Sequence, residues 1–131
     1  MSLQRLAYVD DDADICEIVR FALSEVGGID VHCWNDGATF LDEAGNGWTP
    51  QLVLLDVNMP GMNGWEIVAG LRASPVSARW PVVVLSGCST AERDGAYVDV
   101  LGCVAKPFDP LRLAAVLEGM WTGYLEEGDR K

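Results

Sequence analysis

The chain has 131 residues, half of them hydrophobic, which is enough for one core of ordinary size but too few for two typical domains. Its formal charge of −11 disfavours direct contact with nucleic acid, because nine basic residues against twenty acidic ones leave little surface that could follow phosphates. No apolar run approaches the roughly 18 residues that span a bilayer, and the start lacks a signal-peptide pattern. We therefore expect a cytoplasmic protein without a membrane segment.

Short apolar runs alternate with segments of helical spacing, which predicts consecutive βα units. The first strand covers residues 6–9 and ends at Asp10. The helix after it ends before Gly27, and its apolar residues are spaced to share one face. That face is formed by Ile15, Ile18, Val19, Ala22, Leu23 and Val26. The second strand, 29–34, has the mixed polarity of a sheet edge and leads into a short helix that ends at about Ala44.

The third strand is predicted to be central. Residues 52–55 are apolar on both faces, which is typical of a central parallel strand, and the run ends at Asp56. A loop rich in turn formers, 58–64, then precedes the third helix. The fourth strand covers residues 82–85, and a capping box that starts at Ser89 predicts a fourth helix.

The last βα unit begins with a brief strand, 103–105, which ends at Lys106. Asp109 is predicted to cap the final helix. The buried stripe of that helix is predicted to be Leu113, Leu117, Met120 and Trp121. Because the polar residues after it lack a helical pattern, we expect one domain over residues 1–122 and a frayed C-terminal tail over 123–131.

Five βα units predict an α/β fold with an open, doubly wound parallel sheet, whose ligands bind beyond the carboxyl ends of the strands. A strand order of 2-1-3-4-5 would make strands 1 and 3 neighbours and bring residues from four strand ends to one edge. These residues are Asp10 and Asp11 after strand 1, Asp56 after strand 3, Ser86 after strand 4 and Lys106 after strand 5.

Three carboxylates at one edge repel one another unless a cation neutralises them, and oxygen-only ligands favour Mg²⁺. A carboxylate such as that of Asp56 can attack phosphorus when the charge on the moving phosphoryl group is balanced. The Lys106 ammonium and the Ser86 hydroxyl can contribute to that balance. By contrast, Asp12 and Asp14 are explained by capping of the first helix and its dipole, without a role in the site.

Four stretches, in this order, resemble the receiver domain of two-component response regulators, and the resemblance extends over about residues 4–121. The matching stretches are YVDDD at 8–12, LLDVNMPGMNG at 54–64, VLSG at 84–87 and AKPF at 105–108. The strand order given above is that of flavodoxin-like folds.

The resemblance implies that Asp56 is the phosphoacceptor and that Asp10 and Asp11 bind Mg²⁺ with it. It also implies that the backbone carbonyl of Asn58 completes the protein ligands of the metal. The phosphoryl group would come from a histidine kinase or a histidine phosphotransfer protein. The expected role is that of a signalling domain and not an enzyme, limited to Mg²⁺-dependent self-phosphorylation and slow self-dephosphorylation.

By the same comparison, Ser86 is the switch hydroxyl, Lys106 contacts the phosphoryl group and Pro107 follows a cis peptide bond. Downstream partners would bind the face formed by the fourth helix, the fifth strand and the last helix. The sequence departs from the family at Cys103, where most receivers carry Tyr or Phe as part of the switch.

Two other functions remain open from the residues alone. Asp10-x-Asp12 permits an aspartate-based, Mg²⁺-dependent phosphohydrolase, although this leaves Asp56 and its loop unexplained. Cys103 suggests a receiver-like scaffold that works without phosphorylation.

Overall fold

The computed structural model describes residues 2–57, 59, 61–86, 100–105 and 108–129. Within these residues the strands are β1 Arg5–Val9, β2 Asp30–Trp34, β3 Leu52–Asp56, β4 Val82–Ser86 and β5 Gly102–Ala105. The helices in the same residues are α1 Ala13–Phe21, a π-helical turn Ala22–Val26, α2 Gly37–Glu43, α3 Gly64–Ala73 and α4 Pro110–Asp129. All neighbouring strands run parallel in the order β2-β1-β3-β4-β5, which confirms the predicted fold class and strand order.

The register of β1 and β3 decides where the acidic residues lie. Val9 pairs with Leu55, so Asp10, which follows β1, lies beside Asp56, the last residue of β3. Every residue of β3 is buried, because strands flank it on both sides and an apolar layer covers each face of the sheet. Asp56 is therefore fixed at the end of the most enclosed strand.

The first helix differs from its prediction in two residues. Val19, Ala22 and Leu23 are buried as expected, but Ile18 is 47% exposed and Val26 is 56% exposed. Cys16, Val19 and Leu23, at spacings of three and four, define the face that packs on the core. Ile18 lies off that face, and the wider π-helical turn after Phe21 changes the direction of the residues that follow, including Val26.

The C-terminal helix α4 begins as predicted, with the N–H of Leu111 donating to Asp109 Oδ1 at 3.0 Å. Leu113, Leu117 and Trp121 are buried and Met120 is half-buried. The predicted frayed tail is wrong for residues 123–129, because α4 continues to Asp129.

Packing explains this extension of α4. The ring of Tyr124 stacks on Trp121 with centroids 5.6 Å apart, and Leu125 packs against the core. These contacts offset the low helix propensity of Gly123. The domain boundary at residue 122 stays a prediction.

The predicted fourth helix, from Ser89, falls in residues 87–99, outside those that the structure describes. Tyr124, Pro81 and Val100 lie at the opposite end of the sheet from Asp56, around a separate cavity. No helix in the described ranges has the length and apolar character needed to cross a membrane.

Candidate metal and phosphoacceptor site

Three carboxylates converge where β1 and β3 end. One oxygen each of Asp10, Asp11 and Asp56 lies within 4.8 Å of the other two. Asp10 and Asp56 are buried, at 2% and 4% exposure, whereas Asp11 is exposed. The three residues border a cavity of about 610 Å³. In the part of the chain that the structure describes, this is the group of acidic, His or Cys side chains with the geometry to hold a metal ion.

The position of Asp10 is held by side chain and backbone contacts from three elements. Its Oδ2 accepts a hydrogen bond of 2.6 Å from the Tyr8 hydroxyl, and its Oδ1 accepts one of 3.0 Å from the N–H of Asp12. Its carbonyl oxygen accepts from Asn35 Nδ2 at 2.9 Å and from the Cys16 thiol at 3.3 Å. Asp10 is therefore anchored from β1, from α1 and from the loop after β2.

The groups that support Asp10 are neutral at physiological pH. Burial, the hydrogen bond to Asp10 and the nearby carboxylates raise the pKa of Tyr8 far above its ordinary value. Burial likewise raises the pKa of Cys16 to about 12. The hydroxyl and the thiol are thus protonated donors, and neither adds charge to the site.

The residues present fit a hard divalent cation. Like charges this close together repel, two of them in buried positions, and a cation among them reduces the repulsion. The donor set consists of oxygens alone, which favours Mg²⁺ or Ca²⁺ over softer metals, and a set with few protein oxygens suits Mg²⁺, which retains several waters. The chemistry of the donor set therefore agrees with the predicted Mg²⁺.

The remaining predicted residues are only partly described. Ser86 is the last residue of β4, and its backbone pairs with Ala105, which directly precedes Lys106. The side chain of Ser86 and all of Asn58, Lys106 and Pro107 lie outside the described residues. Their roles in the site therefore stay predictions.

Asp12 has the capping role that the sequence suggests. Its Oδ1 accepts hydrogen bonds from the N–H groups of Asp14, at 2.9 Å, and Ile15, at 3.2 Å, at the start of α1. Asp14 is exposed in the first turn of that helix. Neither carboxylate belongs to the convergent group of three.

Sequence reasoning missed the contacts that hold Asp10, among them those from Tyr8 and Asn35. Tyr8 and Asp10 are two residues apart at the end of a strand, so the alternation of side chains could have indicated that they share a face. The contact from Asn35 joins segments 25 residues apart and has no local sequence signal.

One side of the site is apolar. Ile15, Ile18, Phe108 and Pro110 line the cavity together with the carboxylates. Next to it, Ile18, Phe21 and Leu111 are 47%, 65% and 69% exposed and border a second cavity. We call these three residues the apolar rim.

Comparisons with known proteins agree with this geometry. The family model of the response regulator receiver domain matches residues 6–118, and the chain belongs to this family. It is therefore a receiver domain of the two-component response regulators, as its sequence motifs and strand order indicated.

The chain is also similar to individual curated response regulators. The DNA-binding response regulator MtrA of Mycobacterium tuberculosis is 38% identical over 119 residues, which cover 86% of this chain and 48% of MtrA. The chain thus spans about half the length of the curated relatives of this kind that it matches.

Solved structures support the same fold. The chemotaxis protein CheY4 of Vibrio cholerae has a TM-score of 0.80 at 26% identity, and the match covers 91% of this chain and 99% of CheY4. TrrA of Thermotoga maritima, solved in complex with Mg²⁺ and BeF, has a TM-score of 0.75 at 24% identity and covers 90% of this chain and 99% of TrrA.

Proposed function

We propose that this receiver domain accepts a phosphoryl group on Asp56 and does so with Mg²⁺ held by Asp10, Asp11 and Asp56. The observation that carries the proposal is the approach of these three carboxylates to within 4.8 Å at the end of two neighbouring strands. The complex of TrrA with Mg²⁺ and BeF supports it by analogy, since that protein shares the fold. Asn58 would add its backbone carbonyl to the metal ligands.

The proposed reaction transfers a phosphoryl group to a carboxylate oxygen of Asp56. The O–P bond forms as the N–P bond of a phosphohistidine donor breaks, and the departing imidazole nitrogen keeps the electron pair and takes a proton from water. Asp56 ends a strand whose residues are all buried, so packing would position the nucleophile and favour attack along one line. When bound, Mg²⁺ neutralises the carboxylates and balances the charge of the phosphoryl oxygens.

Ser86 and Lys106 complete the proposal as partners of the phosphoryl group. The backbone of β4 beside β3 supports this assignment, because Leu85 pairs with Asp56 and Ser86 comes next in the chain. The pairing of Ser86 with Ala105 supports a position for Lys106 at the same edge. A hydroxyl and an ammonium drawn towards new phosphoryl oxygens would provide the conformational switch.

The apolar rim supports a protein phosphodonor. Ile18, Phe21 and Leu111 expose apolar surface beside the opening of the cavity, where a histidine kinase or a phosphotransfer protein must present its phosphohistidine. Location in the cytoplasm is part of this proposal, since such donors act there.

The output of the protein is also a proposal. We expect a downstream protein to bind the face made by the predicted fourth helix, β5 and α4. We expect the described receiver residues not to contact nucleic acid directly. MtrA is named as DNA-binding, but the region that matches this chain covers only 48% of MtrA.

The phosphohydrolase alternative loses support from Asp12. That reaction needs two carboxylates in the Asp10-x-Asp12 pattern, but Asp12 caps α1 and lies outside the convergent group. The scaffold alternative, raised by Cys103, predicts partner binding that is indifferent to beryllofluoride and Mg²⁺.

The test is the intact mass of the protein after incubation with phosphoramidate or acetyl phosphate and Mg²⁺. The wild-type chain should gain one phosphoryl group and Asp56→Asn should gain none. Asp14→Asn is the matched control, because it removes an exposed carboxylate close in sequence that lies outside the cluster. A wild-type protein that gains no phosphoryl mass would contradict the proposal. Steady phosphomonoester turnover that survives Asp56→Asn but not Asp10→Asn would decide for the phosphohydrolase.

A further inference from the structure

We infer that Tyr8 is a positioning residue for the metal site: its buried hydroxyl holds the Asp10 carboxylate in the orientation that binds the divalent cation. The inference rests on the proposed function of the three carboxylates. It assigns a role to a residue that lies within β1 and does not itself approach the phosphoryl group.

The ring of Tyr8 is fixed by the core. Tyr8 has no exposed surface and is one of the largest fully buried side chains in the described residues. It packs in the cluster that includes Leu6, Val19, Leu54 and Leu85. Because a tyrosine ring has only two side-chain torsions and these are locked by packing, its hydroxyl is held at one point.

That point lies beside Asp10. Residues 8 and 10 are two apart, so the two side chains leave the backbone on the same side. The hydroxyl of Tyr8 donates to Asp10 Oδ2 at 2.6 Å, the short distance expected of a hydrogen bond to an ionised acceptor. A phenylalanine would fill the same volume without making this contact.

The second oxygen of Asp10 is held as well. Oδ1 accepts from the N–H of Asp12, so each carboxylate oxygen accepts at least one hydrogen bond and the plane of the group is held. A carboxylate has about four acceptor positions, and these two hydrogen bonds are compatible with metal ligation. Partners of this kind orient a ligand, and their removal typically weakens metal affinity about 10- to 100-fold.

Tyr8→Phe tests the inference in the full chain. We expect its dissociation constant for Mg²⁺, measured by calorimetry on metal-free protein, to rise about tenfold or more. The Mg²⁺ concentration for half-maximal phosphorylation should rise in parallel, while the rate at saturating Mg²⁺ stays close to that of the wild type. A purely structural role would lower the maximal rate and leave the half-saturating concentration unchanged.

Tyr124→Phe is the matched control, because Tyr124 is exposed and its ring stacks on Trp121 far from the carboxylates. It should alter neither constant. In the Asp10→Asn background, Tyr8→Phe should cause little further loss, since the hydroxyl acts through that carboxylate. Equal Mg²⁺ affinity of the wild type and Tyr8→Phe would overturn the inference alone. Absence of Mg²⁺ binding by the wild type would overturn the proposed metal site, and the inference with it.

A second measurement serves if Tyr8→Phe does not fold. Of the three tyrosines, Tyr97 and Tyr124 can be changed to Phe so that Tyr8 remains, labelled with ¹³C at its ζ carbon. Saturating Mg²⁺ should shift this resonance, and Asp10→Asn should abolish the shift. A resonance that is insensitive to Mg²⁺ in a protein that binds Mg²⁺ would exclude the inferred role.

Discussion

Carboxylates in two regions of the molecule have opposite surroundings. Asp30 of the edge strand β2 and Glu43 at the end of α2 are exposed. Each accepts a hydrogen bond from an indole: Asp30 Oδ2 from Trp48 Nε1 at 3.3 Å and Glu43 Oε1 from Trp34 Nε1 at 2.8 Å. At the ends of β1 and β3, Asp10 and Asp56 are buried and approach each other and Asp11.

The difference shows that the burial and the neighbours of a carboxylate, and not its residue type alone, determine its role. The exposed carboxylates near β2 are solvated, so their contacts with neighbouring side chains have only a local effect. Buried carboxylates that converge repel one another, and a bound cation relieves this repulsion. The acidic residues of this chain thus fall into two groups: solvated surface carboxylates and the convergent carboxylates of the candidate metal site.

The largest expected effect concerns the difference in stability between Asp56→Asn and the wild type, which should reverse its sign when Mg²⁺ is removed. At about 100 times its dissociation constant, Mg²⁺ should stabilise the wild type by about 2.7 kcal/mol. Asp56→Asn should lose most of this gain and, in metal-free buffer, should melt at a higher temperature than the wild type because repulsion is relieved.

Asp30→Asn is the control from the β2 edge. It should retain the full Mg²⁺-dependent gain and should not raise the melting temperature without metal. Thermal unfolding of the three proteins with Mg²⁺ and with EDTA makes the measurement. A metal-free Asp56→Asn protein that melts below the wild type would contradict the comparison.

A smaller effect is expected at the aromatic cluster of the β2 edge. The rings of His32 and Trp48 stack 3.8 Å apart and nearly parallel, and Trp34 packs edge-on against Phe40 at 5.0 Å. Trp48→Ala removes the stack and should lower the free energy of unfolding by about 1 kcal/mol beyond the loss of buried area. Urea denaturation gives this value, and Mg²⁺ affinity should stay unchanged.

The smallest effect concerns a single exposed carboxylate with a local role. Asp36 Oδ2 accepts from the Thr39 side chain and N–H at the start of α2, and these hydrogen bonds lower the pKa of Asp36. Because the folded pKa is depressed, the stabilisation is present above the ordinary pKa of aspartate and is lost as pH falls through the folded value.

Thermal unfolding of the wild type and Asp36→Asn between neutral and acid pH tests this. The gap in melting temperature between the two proteins should narrow as the pH falls below the ordinary range of aspartate. A difference in melting temperature that grows on acidification would contradict the predicted pH dependence of the stabilisation by Asp36.

Sequence patterns predict the frame of this molecule well because its strongest signals are local. A fully apolar run ending in Asp56, with a second run ending in Asp10, identifies the two central strands and the edge where their carboxylates meet. A short run that is apolar at every position is typical of a parallel strand buried on both faces, as β3 is.

The differences come from tertiary contacts. Ile18 fits the apolar spacing of α1 but lies outside the buried face. The spacing of apolar residues along a helix does not by itself determine which of them face the sheet. Residues 123–129 look like a polar tail, yet the stack of Tyr124 on Trp121 extends α4. The hydroxyl of Tyr8 has a visible signal in the two-residue alternation, but a tyrosine in a strand is usually explained by packing alone.

The hydrogen-bond ladder around the two buried aspartates has a consequence for amide exchange. The N–H of Asp10 donates to Trp34 O at 3.0 Å, and the N–H of Val57, just after Asp56, donates to Leu85 O at 3.1 Å. Buried backbone protons that are hydrogen-bonded between strands exchange with solvent more slowly than those of exposed loops. We therefore expect these two amides to exchange slowly, so that the backbone beside the buried aspartates keeps its strand pairing while less protected parts of the described chain open locally.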